Sequence, residues 1–194
     1  MKIIGFVYQE KRSDIPCQPS GSKGEWEMVL KADSCLLNGR KPFFLPDWSQ
    51  EVGYTPCLIL RVSRLGKEIA PKFANRYYDA VAYGADFTAT DILREAQAAG
   101  RPWTRAMAFD YSLAIGEFKV ESSGLKEAGE LNDERYSGYV LTPAKAIAEA
   151  SKLMTIRQGD LIVIQAHEKP KPVHKEDIIR VEENGKELLY CKIK

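Results

Sequence analysis

The run YGADFTATD, residues 83–91, sets one carboxylate, Asp86, among small residues, with the hydroxyls of Thr88 and Thr90 close behind. A carboxylate in apolar surroundings requires a cation or hydrogen-bond donors. It can work as a general base or a ligand, or simply accept from amides and hydroxyls at a bend. Shortly after, GRPWTRAMAFD (residues 100–110) offers Arg101, Trp103, Thr104 and Arg105. The guanidinium forks of Arg101 and Arg105 suit a carboxylate substrate. His167, in IQAHEKPKP, follows an apolar run at a place where an imidazole could exchange protons, although its lysine-rich surroundings suit a solvated segment. Glu25-Trp26-Glu27 has the i, i+2 spacing of paired ligands on one strand face, and Asp91 reads as an acid at a helix start.

The bulk properties narrow the classes. The chain of 194 residues carries 28 basic and 27 acidic side chains, a net charge of +1, so no overall field favours nucleic acid. Hydrophobic residues make up 44% and charged residues 28%, ordinary values for one globular domain spanning residues 1–194. The N-terminal apolar run KIIGFVY is too short for a signal peptide or a membrane span. Cys17, Cys35, Cys57 and Cys191 form no C-x-x-C pair, and two histidines, His167 and His174, cannot build a His-rich metal site. Reduced structural cysteines and a cytoplasmic location are the expectation.

The elements that must position these residues follow from pattern. KIIGFVY predicts a buried strand, and the segment from Tyr8 to Glu27, rich in Pro, Ser, Gly and charge, predicts a loop. Asn38-Gly39 is a hairpin signal. YTPCLILRVSRLGKEI predicts a strand with Leu58, Leu60 and Val62 on one face, and Ala70–Asp79 a short helix with Pro71 in its first turn. AVAYGADFTAT, residues 80–90, predicts a strand ending in a polar bend, and TDILREAQAAG a helix with an acid at its start and Gly100 after its end. The strongest helix is LTPAKAIAEASKLMTI, capped by Thr142 with Pro143 in its first turn. DLIVIQ predicts a buried strand and residues 177–194 a hairpin with Asn184-Gly185 at its tip. Many short strands with a few helices in irregular order make an α+β domain.

RLGKEI, YYDAVAYGADFTATD, GRPWTRAMAFDYSLAIGEF and LTPAKAIAEASKLMTIRQGDLI, in this order, resemble the fumarylacetoacetate hydrolase family. The resemblance spans roughly residues 54 to 165. It implies layered, rolled mixed β-sheets with a few flanking helices, a homodimer, and cleavage, isomerisation or decarboxylation of 2-oxo or 1,3-diketo acids assisted by Mg²⁺ or Mn²⁺. In that chemistry a hard cation held by carboxylates chelates the keto-acid oxygens and stabilises an enolate. The resemblance implies that Trp103 and Thr104 line the substrate cleft, with a core-capping role as the alternative, and makes Thr88 a further substrate-binding candidate; Asp86 matches one metal carboxylate of the family. Counting back from Gly66-Lys67 puts Leu58 and Leu60 at the two glutamate positions, and Met107 stands for the family's lysine. Thr90 replaces an arginine, no histidine stands in the lid region around Tyr8–Arg12, and Gln165, Ala166 and His167 replace a Gly-Thr-Pro loop.

Leucine offers no lone pair to a cation and methionine carries no charge. Two readings remain. In the first, the chain is a family member without metal-dependent catalysis that serves as a binding or assembly module for a small carboxylic or keto acid or for another chain, with no resident cofactor and no nucleic-acid or membrane contact. In the second, it is an enzyme on keto or enol acids with a rebuilt, metal-free site in which Asp86 and either His167 or Lys11 move protons. If the family mechanism survives, Mg²⁺ or Mn²⁺ belongs at Asp86.

Overall fold

The computed structural model describes residues 1–9, 26–120 and 136–194. Its strands are β1 (Ile3–Tyr8), β2 (Trp26–Lys31), β3 (Leu36–Leu37), β4 (Val52–Val62), β5 (Tyr78–Ala89), β6 (Leu113–Ile115), β7 (Lys119–Val120), β8 (Leu161–Gln165) and β9 (Lys171–Pro172). They form one mixed sheet in the order β2-β1-β8-β4-β5-β6-β3, with β7 added to β5 and β9 to β4. β1 and β8 run parallel, as do β3 and β6, and the other pairs are antiparallel. A separate hairpin comprises β10 (Ile178–Glu183) and β11 (Lys186–Lys192). The helices are α1 (Thr90–Ala98), α2 (Thr104–Met107) and α3 (Pro143–Leu153). This is the α+β architecture that the sequence pattern implies.

β4 and β8 are apolar at almost every position because both faces of the sheet are covered. On one face Ile4, Phe6, Leu58, Leu60, Ile162 and Ile164 pack with Ala146, Ile147 and Ala150 of α3. Thr142 caps that helix, its hydroxyl accepting from the Lys145 amide at 3.4 Å, and Pro143 occupies the first turn. Farther along the same face Ala85 and Phe87 meet Leu189, Cys191 and Ile193 of the hairpin side. The opposite face curls inward around Ile3, Cys57, Ile59, Ala82, Leu113 and Val163.

One contact measures the curl. Lys31 on the end strand β2 reaches Asp86 on β5, with β1, β8 and β4 between them in the sheet. Four interstrand steps in a flat sheet would separate those strands by about 19 Å. Contact therefore requires a rolled sheet.

Three local expectations change. Asn38-Gly39 forms a turn with Gly39 at φ +73°, but β3 pairs in parallel with β6 rather than with a neighbouring strand. The segment 70–79 yields only the 3-10 turn Pro71–Arg76, and the loop expected over 8–27 begins and ends inside strands at Tyr8 and Trp26. Lys11, Cys17 and Glu25 lie outside the described residues. Asn184-Gly185 closes the last hairpin as read, both residues with positive φ.

Asp160 fastens the parallel β1–β8 pair. Its carboxylate accepts from the Lys2 amide at 3.0 Å and the Arg157 amide at 2.8 Å, and pairs with the Lys2 ammonium. Burial pushes the Asp160 pKa up, but these donors outweigh it and hold the group below its ordinary value. A carboxyl with a lowered native pKa contributes stability above its unfolded pKa of about 4 and loses it as pH falls through the native value. Asp160→Asn is expected to lower the urea midpoint at pH 7 and to flatten its decline below about pH 4; equal pH profiles for the two proteins would contradict this.

Candidate functional site

β5 carries Asp86 to the inner face of the roll, opposite Thr55 of β4. The carboxylate has no solvent exposure. One oxygen pairs with the Lys31 ammonium, and the other accepts from the Gln165 side-chain amide at 2.9 Å. Lys31 also donates to the Met107 carbonyl at 2.5 Å, and the Ser112 hydroxyl donates to the same carbonyl at 3.1 Å. The carbonyl end of the Gln165 side chain accepts from the Tyr8 amide at 2.8 Å, so both ends of that amide group are engaged. Asp86, Lys31, Gln165, Ser112 and Met107 thus form one closed polar group drawn from β2, β5, β8 and the α2–β6 connection.

The energetics of this group follow from burial. Removing a carboxylate and an ammonium from water costs several kcal/mol each, offset only by close pairing and by hydrogen bonds to the remaining lone pairs. Both conditions hold here. Nearby, burial pushes the Cys57 thiol well up, the Asp86 charge adds to that, and Lys31 opposes it. Cys57 fits beside this group because β5 has Gly84 across from it: a Cβ there would approach the Cys57 sulfur to 2.9 Å and Ile59 Cδ1 to 2.5 Å. The hydroxyls of Thr55 and Thr88, both buried, have no hydrogen-bond partner among the described residues.

Whether these residues fit a divalent cation can be judged directly. Mg²⁺ takes near-octahedral oxygen coordination with carboxylate charge. Around Asp86 the described residues supply a lysine ammonium, an amide NH₂, a thiol and two hydroxyls, and no group of three or more His, Cys, Asp or Glu side chains converges anywhere among them. The Lys31 ammonium already takes one oxygen of Asp86 and the Gln165 amide the other. These residues do not fit the metal.

The structure also corrects the ligand positions. Leu58 and Leu60 face α3, on the opposite side of the sheet from Asp86. The i, i+2 pair that shares the face of Asp86 next to it is Thr55 and Cys57. Alternation along a strand makes a one-residue offset in register a change of face, and the segment between Gly-Lys and Asp86 fixes that offset. Neither pair contains a carboxylate.

The other candidates disperse. Thr88 and Asp86 are both fully buried inside the roll. His167 is exposed and stacks edge-on against Tyr8, with ring centroids 4.9 Å apart; Gln165 stands between this pair and Asp86. Trp103 is half-buried, while Thr104 and Arg105 are exposed. Trp103 and Thr104 line a cavity of 590 Å³ together with Met28, Leu30 and Arg101. Asp86 does not line it. Trp103 packs instead on the buried group Val7, Val29, Ala106 and Met107. Asp91 serves structure at the start of α1, where its carboxylate accepts from the Ser49 hydroxyl at 2.7 Å and the Gln50 amide at 2.8 Å.

Lys31 escaped the sequence reading, and Gln165 was read only as part of a replaced loop rather than as a partner of Asp86. Each had a signal. Glu27, Val29 and Lys31 share a strand face, and a lysine two residues beyond a buried valine on that face is itself set to enter the core. Gln165 ends the otherwise apolar strand LIVIQ, with the same consequence.

Removing one partner of a buried pair leaves the other charge uncompensated. Lys31→Met is therefore expected to cost about 3–5 kcal/mol in urea unfolding, and Lys31→Met combined with Asp86→Asn appreciably less than the sum of the two single changes. Additive losses would show that the two groups do not interact.

Similarity to known proteins agrees with this fold. The model of the fumarylacetoacetate hydrolase C-terminal family matches residues 8–189. A mitochondrial oxaloacetate tautomerase of Mus musculus is 24% identical over 196 residues, covering 96% of this chain and 86% of that protein. An uncharacterised protein of Pyrococcus horikoshii is 28% identical over 173 residues, covering 83% and 74%. The fumarylpyruvate hydrolase of Pseudomonas aeruginosa, solved with Mn²⁺ and pyruvate, superposes with a TM-score of 0.73 at 17% identity, covering 99% of this chain and 88% of that one. With the family pattern running through nearly all of its length, the chain belongs to the fumarylacetoacetate hydrolase family.

Proposed function

We propose that this family member does not run metal-assisted keto-acid chemistry at Asp86 and acts as a binding or assembly module. The observation that carries the reading is the Lys31–Asp86 pair, in which neither side chain has any solvent exposure. In the family chemistry a carboxylate must be free to hold a cation that in turn holds substrate. Here the carboxylate is already neutralised by a tethered ammonium, and its second oxygen is held by Gln165. A charge that the substrate cannot reach cannot stabilise an enolate.

The module would work as a single domain, alone or as a homodimer, with an exposed face or cavity as its binding site. A reducing compartment such as the cytoplasm suits it, since Cys35, Cys57 and Cys191 are free thiols. No described helix is long and apolar enough to cross a membrane.

A second reading, a metal-free enzyme on oxo acids, draws on the tautomerase named among the relatives and on His167, exposed beside Tyr8. The oxaloacetate named for that relative makes the assay specific. Purified protein is expected to leave the enol–keto interconversion of oxaloacetate at its uncatalysed rate, with or without Mg²⁺ or Mn²⁺, and to show no rise in melting temperature with either ion. Catalysis insensitive to chelator and abolished by His167→Ala, with the melting temperature unchanged, would establish the second reading. Catalysis that requires added metal would overturn the absence of the family mechanism.

A further inference from the structure

We propose that a second cavity, between Trp48 and α2, is a binding site for an aryl carboxylic acid, with its ring against Trp48 and Phe109 and its carboxylate paired with Arg105. The cavity measures 440 Å³ and is lined by Trp48, Thr104, Arg105, Ala108 and Phe109. Asp86 does not line it, so the site is separate from the buried polar group. None of Gln9, Trp26, Val120 and Tyr136, which flank the segments outside the described residues, lines it either.

Trp48 and Phe109 meet edge to face, with centroids 5.1 Å apart and planes at 84°, and so form a right-angled apolar corner. The corner is anchored from within. Phe109 packs on the core group that holds Phe43 and Phe87, whose rings stack 3.8 Å apart. The residues after Trp48 are fixed to the start of α1, since the Ser49 hydroxyl and the Gln50 amide both donate to the Asp91 carboxylate. Trp48 nonetheless keeps 47% of its surface exposed. A planar ring laid in this corner removes apolar area from water and adds the attraction between aromatic rings. Because the corner is already in place, little freedom is lost on binding.

The second, independent observation is charge. Arg105 is the only charged side chain in the lining, and it is exposed. It has no ion pair among the described residues, whereas Arg40, Arg61, Arg94 and Arg180 each lie within 3.4 Å of a carboxylate. Its planar fork can therefore take a carboxylate through two parallel hydrogen bonds, and the Thr104 hydroxyl in the same lining can donate another. Asp47 and Asp110 adjoin Trp48 and Phe109 in sequence, but neither lines the cavity. Two rings beside one guanidinium select an acid that carries a ring over an aliphatic acid or a neutral aromatic.

The inference rests on the reading of the protein as a binding module, for which it names a ligand class. Its test reads Trp48 rather than turnover, so the two fail distinguishably: turnover of oxaloacetate sinks the reading, and an unmoved Trp48 sinks the site. The probe is phenylacetate, with phenylethanol and cyclohexylacetate as controls. The Trp48 indole N–H resonance, identified by its loss in Trp48→Phe, is expected to shift saturably with phenylacetate. Both controls, and phenylacetate with Arg105→Gln, should bind more weakly by about fivefold or more. No saturable shift at Trp48 would overturn the proposal, as would equal affinity for either control or undiminished affinity in Arg105→Gln. A shift of the Trp103 resonance in place of Trp48 would put the acid in the cavity beside β2, and would overturn it too. So would a Trp48 resonance that moves with protein concentration in ligand-free samples, which would assign this face to a second copy.

Discussion

A lysine ammonium and an aspartate carboxylate, both out of contact with water, meet across the inside of a rolled sheet. That pair constrains nearly everything around it. Lys31 enters from the end strand and Asp86 from a strand four places along, so the contact exists only while the sheet stays curled. The Met107 carbonyl and the Gln165 amide complete the shell, which ties the α2–β6 connection and the end of β8 to the same point. A buried pair is not by itself strong evidence of stability, since well-packed apolar residues of similar volume often do as well. Its consequence is specificity: breaking the roll would expose or strand two charges at once.

On the proposed reading, the same pair would let the family's architecture persist without metal chemistry at Asp86. A divalent cation gathers several oxygen ligands and neutralises the carboxylate among them. A tethered ammonium neutralises the Asp86 carboxylate without a second acid. Thr55 and Cys57, on the face that adjoins Asp86, then have no electrostatic reason to be acids. The apolar group of Val7, Val29, Ala106 and Met107 lies on the same side, and Trp103 packs on it. The open cavity lies beyond, beside the sheet edge.

How much of this could be read from the chain depends on what each feature requires. Thr142-Pro143 and the apolar stripe behind it announced α3, and Asn184-Gly185 announced the final hairpin, because caps and tight turns are local. The motifs around Asp86 and Pro102-Trp103 announced the family. The face on which Leu58 and Leu60 lie was not local: it depended on strand register across β4 and β5, and a count from Gly66-Lys67 landed on the wrong side. Lys31 was missed because its partner lies 55 residues away and its own strand is a short edge strand, where a lysine reads as solvated. Thr104, Arg105 and His167 were grouped with Asp86 by motif, but the fold leaves them at the surface while it seals the aspartate.

The most direct measurement is a crystal structure determined after soaking in saturating MnCl₂, with anomalous data collected to locate manganese. The account predicts no anomalous peak beside Asp86, with the Lys31 ammonium within hydrogen-bond distance of its carboxylate. A manganese ion held there by three or more protein oxygens, with Lys31 turned away, would contradict it.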